Sequence, residues 1–206
     1  MKPNYYIKME EQLNSLSGIP KLLLHSCCAP CSSHVISFLT NYFDITIYYY
    51  NPNIYPKTEY EKRKQEQIRF INELKTKNKI DFLDCDYDTE NYNFDLKNIP
   101  FTKEGEKRCY NCYLYRMKRT AIKAKELNYD YFTTTLSVSP YKNSLFINEI
   151  GETLEKTYNI KFLYSDFKKK EGYKHSIELA KQYNLYRQDY CGCNYSLTNK
   201  DKESKI

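Results

Sequence analysis

The chain has only 5 glycines among 206 residues, which excludes collagen-like and Gly/Ser-linker classes. No stretch approaches the ~20 consecutive apolar residues that a bilayer crossing needs, so a membrane-spanning protein and a membrane partner are not expected. The start, MKPNYYIKMEEQLNSL, lacks the apolar core and small-residue cleavage site of a secretory signal. The expected location is therefore the cytoplasm, where thiols stay reduced. No H-E-x-x-H and no Ser/His/Asp arrangement appears, so zinc-peptidase and triad-hydrolase chemistry have no support. G-x-G-x-x-G and G-x-x-x-x-G-K-[ST] are also missing. The loop after the first predicted strand, where many α/β proteins cradle phosphate, reads SCCAPCSS instead. Cysteines occupy that position, and ATP is not expected there.

What is present is a moderately basic, tyrosine-rich chain. It has 32 Lys and Arg against 26 Asp and Glu, for a net charge of +6. With 41% apolar and 16% aromatic residues, it can build a core and is not disordered as a whole. The length suits one α/β domain over residues 1–206, with 1–19 as an N-terminal extension and 197–206 as a frayed tail.

Strands are expected at Lys21–His25, Asp44–Tyr50, Ile80–Leu83, Tyr131–Thr135 and Ile160–Tyr164, from apolar, β-branched or aromatic runs. Helices are expected at 32–42, 58–77, 109–127, 143–158 and 173–183 from apolar residues at helical spacing. Thr58 and Glu61 form a capping-box pattern at the start of the second. Residues 86–108 read as a long loop with room for a short helix. This alternation implies βαβ units with right-handed crossovers and a parallel, Rossmann-like sheet. In such sheets sites form beyond the carboxyl ends of strands, which points to the loops at 26–31, 51–57, 136–142 and 165–172.

Seven of the 8 cysteines fall in three short windows: HSCCAPC (Cys27, Cys28, Cys31), RCYNC (Cys109, Cys112) and YCGC (Cys191, Cys193). Core packing does not explain such clustering. C-x-x-C at a helix start lets two thiols converge on one ion, and the helix N-terminus favours the thiolate that binds metal. Gly192 permits a sharp turn between Cys191 and Cys193. Adjacent Cys27 and Cys28 are expected to point in different directions and to serve different centres. Four thiolates satisfy a tetrahedral zinc or a 4Fe–4S cluster, and three remain for a further metal with an open position. Structural zinc is the competing reading, and a disulfide framework is disfavoured by size and compartment. The lone Cys85 reads as a buried small apolar residue. His25 reads as a packed, hydrogen-bonded core histidine, and His34 and His175 as helix-face residues.

Basic residues thicken over Lys103, Lys107, Arg108, Arg116, Lys118, Arg119, Lys123 and Lys125, and again over Lys168, Lys169, Lys170 and Lys174. Tyr110, Tyr113 and Tyr115 lie among the first group. Phosphate contacts and base stacking on RNA would use such a surface, as would an ordinary solvated helix face.

Taken in order, KLLLHSCCAPCSSHV, YNPNIYPKTEY, EGEKRCYNC, TTLSVSPYKN and LYRQDYCGCNYS resemble the QueH family of cobalamin-independent epoxyqueuosine reductases, from Lys21 to Ser196. The resemblance implies a fold similar to the adenine-nucleotide alpha-hydrolase (HUP) group. It also implies a 4Fe–4S cluster and a nearby mononuclear metal, expected to be iron. The implied reaction reduces epoxyqueuosine to queuosine at the tRNA wobble position. Cys27, Cys28, Cys109, Cys112, Cys191 and Cys193 match the family's metal-binding cysteines, and Cys31 stands where some members carry Asp. Tyr55 stands where the NPNIYP loop often carries His, so no imidazole role is expected there. Tyr141, Lys142 and Arg187 are candidates to contact the modified base or phosphate. Asp189 or Tyr190 would deliver a proton. The electron donor is expected to be an external ferredoxin- or flavodoxin-like protein. Two other classes stay open: a zinc-dependent RNA-binding module without catalysis, and a tRNA thiolation or adenylation enzyme, which the missing Gly-rich loop disfavours.

Overall fold

The structure is a computed structural model, and it describes residues 3–100 and 105–196. The expected frayed tail at 197–206 and Lys103 of the first basic group lie outside the described residues.

Five strands form one all-parallel open sheet: β1 (Lys21–His25), β2 (Asp44–Tyr48), β3 (Ile80–Leu83), β4 (Tyr131–Thr134) and β5 (Lys161–Phe162). The order is β3-β2-β1-β4-β5. The expected Rossmann-like α/β sheet is what the chain builds. The helices are α1 (Tyr5–Asn14), α2 (Ala29–Leu39), α3 (Lys57–Glu73), α4 (Thr89–Leu96), α5 (Lys107–Glu126), α6 (Ser144–Tyr158) and α7 (Gly172–Gln182).

The unbroken apolar run of β1 has a direct cause. Successive side chains point to opposite faces of a strand, and both faces of this sheet are covered. Leu22 and Leu24 join the core made with α1, α2 and α7, while Leu23 joins the core made with α5 and α6. All three are fully buried, which contributes about 1.5–3 kcal/mol each.

Several expectations are corrected. Thr58 does not cap α3: Pro56 occupies the N-cap position and no side chain bonds the free N–H groups there. The last strand contracts to Lys161–Phe162, pairing only with β4 at the sheet edge. A 3-10 turn, Thr135–Val138, follows β4 directly, and Thr134 Oγ1 accepts from Leu136 N at 3.2 Å to start it. The 86–108 segment does hold a short helix, α4. The N-terminal extension forms α1, capped by Asn4.

The order reverses between β1 and β4. The chain leaves β1 toward β2 on one side, and β4 lies on the other. At such a switch point the loops after the two central strands diverge and leave a crevice at their carboxyl ends. Here those loops are 26–28, carrying two cysteines, and 135–143.

Candidate metal centre and its cavity

A cavity of about 320 Å³ opens at this switch point. Its wall is drawn from five stretches, among them Cys27, Pro30 and Cys31; Ser139, Tyr141 and Lys142; Arg116; Tyr173 and Ser176 of α7; and Arg187, Gln188, Asp189, Tyr190 and Cys191. All five substrate and proton candidates read from the sequence therefore border one space together with three of the seven cysteines.

The β1–α2 loop builds the first thiol group. Cys28 is the N-cap of α2, in an extended conformation, and Pro30 sits within the first turn, where a missing N–H does no harm. This geometry folds Cys31 back over the loop. The sulfurs of Cys27, Cys28 and Cys31 all lie within 4.8 Å of one another. Cys27 and Cys28 were expected to diverge. Instead their Sγ atoms stand 3.8 Å apart. A tetrahedral ion with ~2.3 Å sulfur bonds holds its ligands ~3.8 Å apart. Soft sulfur donors at that spacing fit zinc or iron, so the residues present suit the metal chemistry expected of them. Among the described residues this is the one group of three or more such ligands so close together. All eight cysteines are free thiols, and no disulfide framework exists.

Buried hydrogen bonds fix this loop. Gln67 of α3 accepts from Ser26 Oγ at 2.7 Å and from Ser32 Oγ at 2.8 Å, on either side of the thiols. Asn51 donates to the Ser26 carbonyl at 2.7 Å. Gln188 Nε2 donates to Cys28 Sγ at 3.0 Å. His25 is fully buried between Thr134 Oγ1 and the Tyr50 carbonyl, the packed core histidine expected.

The YCGC segment is held from α3. Arg63 donates to the carbonyls of Cys191 (3.2 Å) and Tyr190 (3.4 Å) and pairs with Glu59 at 2.7 Å. Gly192 has φ +109°, and a Cβ there would stand 2.9 Å from an Arg63 nitrogen. Tyr190 donates its hydroxyl to the Tyr55 carbonyl at 2.6 Å. Cys109 and Cys112 occupy the start of α5, where the Gly105 N–H reaches Cys109 Sγ at 3.3 Å. Cys85 is half-buried at the end of β3 rather than enclosed.

The electrostatics couple the three cysteine windows. Hydrogen bonds from Cys28 and Cys31 hold the Cys27 thiol well below its usual pKa, against burial and with help from Lys142 and Arg116. The same pairing pushes Cys28 up to about 12. A hydrogen bond from Cys193 lowers Cys191, again against burial and with Lys142 and Arg116 assisting. Burial opposes the charges of Lys142 and Arg116. Negative charge on Cys191, Cys27 and Cys31 outweighs it at Lys142, and charge on Cys112, Cys27 and Cys191 does so at Arg116.

The basic-patch reading needs correction. Arg108 and Arg116 are buried, not part of a solvated face. Arg108 donates to the Leu96 and Ile99 carbonyls. Tyr113 is in the core, Tyr110 packs edge-on against Phe146, and Tyr115 packs edge-on against Tyr92. Lys168 pairs with Asp166, and Lys174 with Glu171. Tyr141, by contrast, is 73% exposed at the cavity mouth. Sequence reasoning missed Arg63, Asn51, Gln67 and Gln188 as supports of the site, since each bonds a partner far away in the chain. Arg116 carried a signal: it stands one helical turn after Cys112 and two after Cys109, on one helix face.

Comparison with known proteins follows the same pattern. Residues 22–199 match the family profile described as Epoxyqueuosine reductase QueH. A protein of that name from Streptococcus pyogenes is 41% identical over 205 residues, covering 95% of this chain and 80% of its own. One from Staphylococcus epidermidis is 45% identical over 178 residues, 84% of this chain and 75% of the relative. One from Thermotoga maritima is 34% identical over 189 residues, 90% of this chain and 95% of the relative.

Proposed function

The chain belongs to the epoxyqueuosine reductase QueH family, and on that premise we propose that it removes the epoxide oxygen of epoxyqueuosine in tRNA through an iron–sulfur site, without cobalamin. The observation that carries the reading is the convergence of Cys27, Cys28 and Cys31 at metal-ligand spacing beside a cavity that Cys27, Cys31 and Cys191 line. Deoxygenation of the epoxide consumes two electrons and two protons and yields an alkene and water. With the clustered thiols engaged as ligands, no side chain supplies those electrons, so a bound group must. A 4Fe–4S cluster with a neighbouring mononuclear iron would supply electrons singly and a Lewis-acidic position for the oxygen. The seven clustered cysteines would hold these groups, and a ferredoxin- or flavodoxin-like donor would recharge them.

The chain's own residues do the rest. Lys142 and Arg116 place positive charge against the thiolates. Tyr141, exposed at the mouth, offers a ring for stacking on the modified base, and Arg187 offers a charge for its phosphate. Asp189 and Tyr190 border the cavity as proton sources, Tyr190 after releasing its bond to the Tyr55 carbonyl. Among the described residues, no helix is long and apolar enough to cross a membrane. A cytoplasmic location agrees with a tRNA substrate.

The test is reduction of epoxyqueuosine-tRNA by anaerobically purified protein with dithionite, followed by nucleoside mass spectrometry. Queuosine is expected from the unaltered chain and none from Cys109→Ser/Cys112→Ser. Activity persisting in that double variant overturns the role of these thiols. Colourless protein holding zinc and no iron would favour an RNA-binding module instead.

A further inference from the structure

Two arginines lie almost wholly out of solvent beside the cysteines, Arg63 and Arg116, each 1% exposed. Their surroundings differ. Arg63 has its carboxylate, Glu59. Arg116 has none within ion-pair reach among the described residues. Its Nε donates to the Cys112 carbonyl at 3.3 Å, and one terminal nitrogen to Asn51 Oδ1 at 3.4 Å. Both bonds are long, and both acceptors are neutral. A guanidinium cannot shed its proton in a protein, and burying one without an anion is strongly unfavourable.

The missing anion must therefore come from what Arg116 faces. It borders the same cavity as Cys27, Cys31 and Cys191, and it follows Cys112 by one turn of α5. Thiols from all three cysteine windows thus surround one enclosed cation. Lys142 also borders this cavity and adds a second positive charge toward Cys27 and Cys191, from a side chain less enclosed than that of Arg116. Asn51 sets the guanidinium in place, since its amide also anchors the Ser26 carbonyl of the cysteine loop.

We propose that Arg116 is a positioning residue for the thiolate-held centre: its guanidinium is the buried counter-charge that lets thiolates from three chain segments share one space. The role rests on the iron–sulfur reading above. A fixed positive charge stabilises the more reduced, more negative state of a bound cluster and so raises its reduction potential. Removing it lowers that potential.

The experiment compares anaerobically purified holoenzyme with Arg116→Lys and Arg116→Met, measuring iron per chain and the midpoint of the visible chromophore in a redox titration. In Arg116→Met the oxidised-to-reduced ratio at the wild-type midpoint is expected to rise at least tenfold, which is 59 mV for one electron. Loss of most iron from a variant still folded by circular dichroism supports the same role. Arg116→Lys keeps the charge and is expected to change the ratio less than threefold. Should Arg116→Met fail to fold, Arg116→Gln keeps an amide donor in place of the guanidinium without its charge and is expected to shift the midpoint downward as well. Full iron content with a ratio changed less than threefold in Arg116→Met, or in Arg116→Gln where that stands in, overturns the proposal and leaves the reductase reading intact. A wild-type protein without iron overturns both.

Discussion

At the residue scale, Gly192 is the position where the backbone leaves least choice. Its φ of +109° lies in the region that side chains avoid, and the nearest atom to an added Cβ belongs to Arg63, which also holds the Cys191 carbonyl. Gly192→Ala is expected to shift Cys191 and Cys193 and to lower metal content at least twofold, measured per folded chain. His34 offers a pH test away from the cysteine ligands. Its Nδ1 stands 2.9 Å from that of His175, and burial, then the His175 charge, lower its pKa from 6.5 to about 4. The unfolded chain therefore binds more protons between these values. Stability from this group is complete above pH 6.5 and falls as the pH drops toward 4. With the ring partly in solvent, the loss is on the order of 1 kcal/mol. Urea midpoints at about pH 7.5 and about pH 4.5 are expected to lie closer together in His34→Phe than in the wild type. An unchanged gap would contradict this account.

At the element scale, caps separate what sequence patterns suggest from what the backbone uses. The T-E-Y-E pattern at Thr58 is displaced because the chain arrives through Pro56, which itself takes the cap position. Asn143 does cap α6, accepting from Leu145 N at 3.0 Å. Thr58→Ala is expected to change stability by less than about 0.5 kcal/mol, and Asn143→Ala to reduce it by about 1 kcal/mol, in thermal or urea unfolding. The same contrast explains how much was legible. β1 and α6 could be read because a both-sides-buried strand and a one-sided helix leave strong local patterns. The apolar stripe of α5 was legible too, but the burial of Arg108 and Arg116 was not. Charge alone does not say that Arg108 would cap the end of α4 or that Arg116 would face thiols. Nor does a local pattern show that Gln67 and Asn51 would brace the cysteine loop, because those bonds depend on tertiary packing.

At the scale of the whole molecule, the parallel order β3-β2-β1-β4-β5 does the assembling. It sets the loop after β1 beside the loop after β4 and leaves a crevice between them. The chain after α7 then crosses this crevice, bringing Arg187 to Cys191 to its wall. Cysteines separated by more than 150 positions thus border one cavity, and the clustering visible in the sequence acquires its physical sense. Metal analysis joined to the visible spectrum of anaerobically purified protein tests this most directly. The account predicts a brown protein containing iron and sulfide, both lowered in Cys109→Ser/Cys112→Ser while the fold persists. A colourless wild-type protein with zinc alone, or a double variant that keeps its full iron and spectrum, would contradict it.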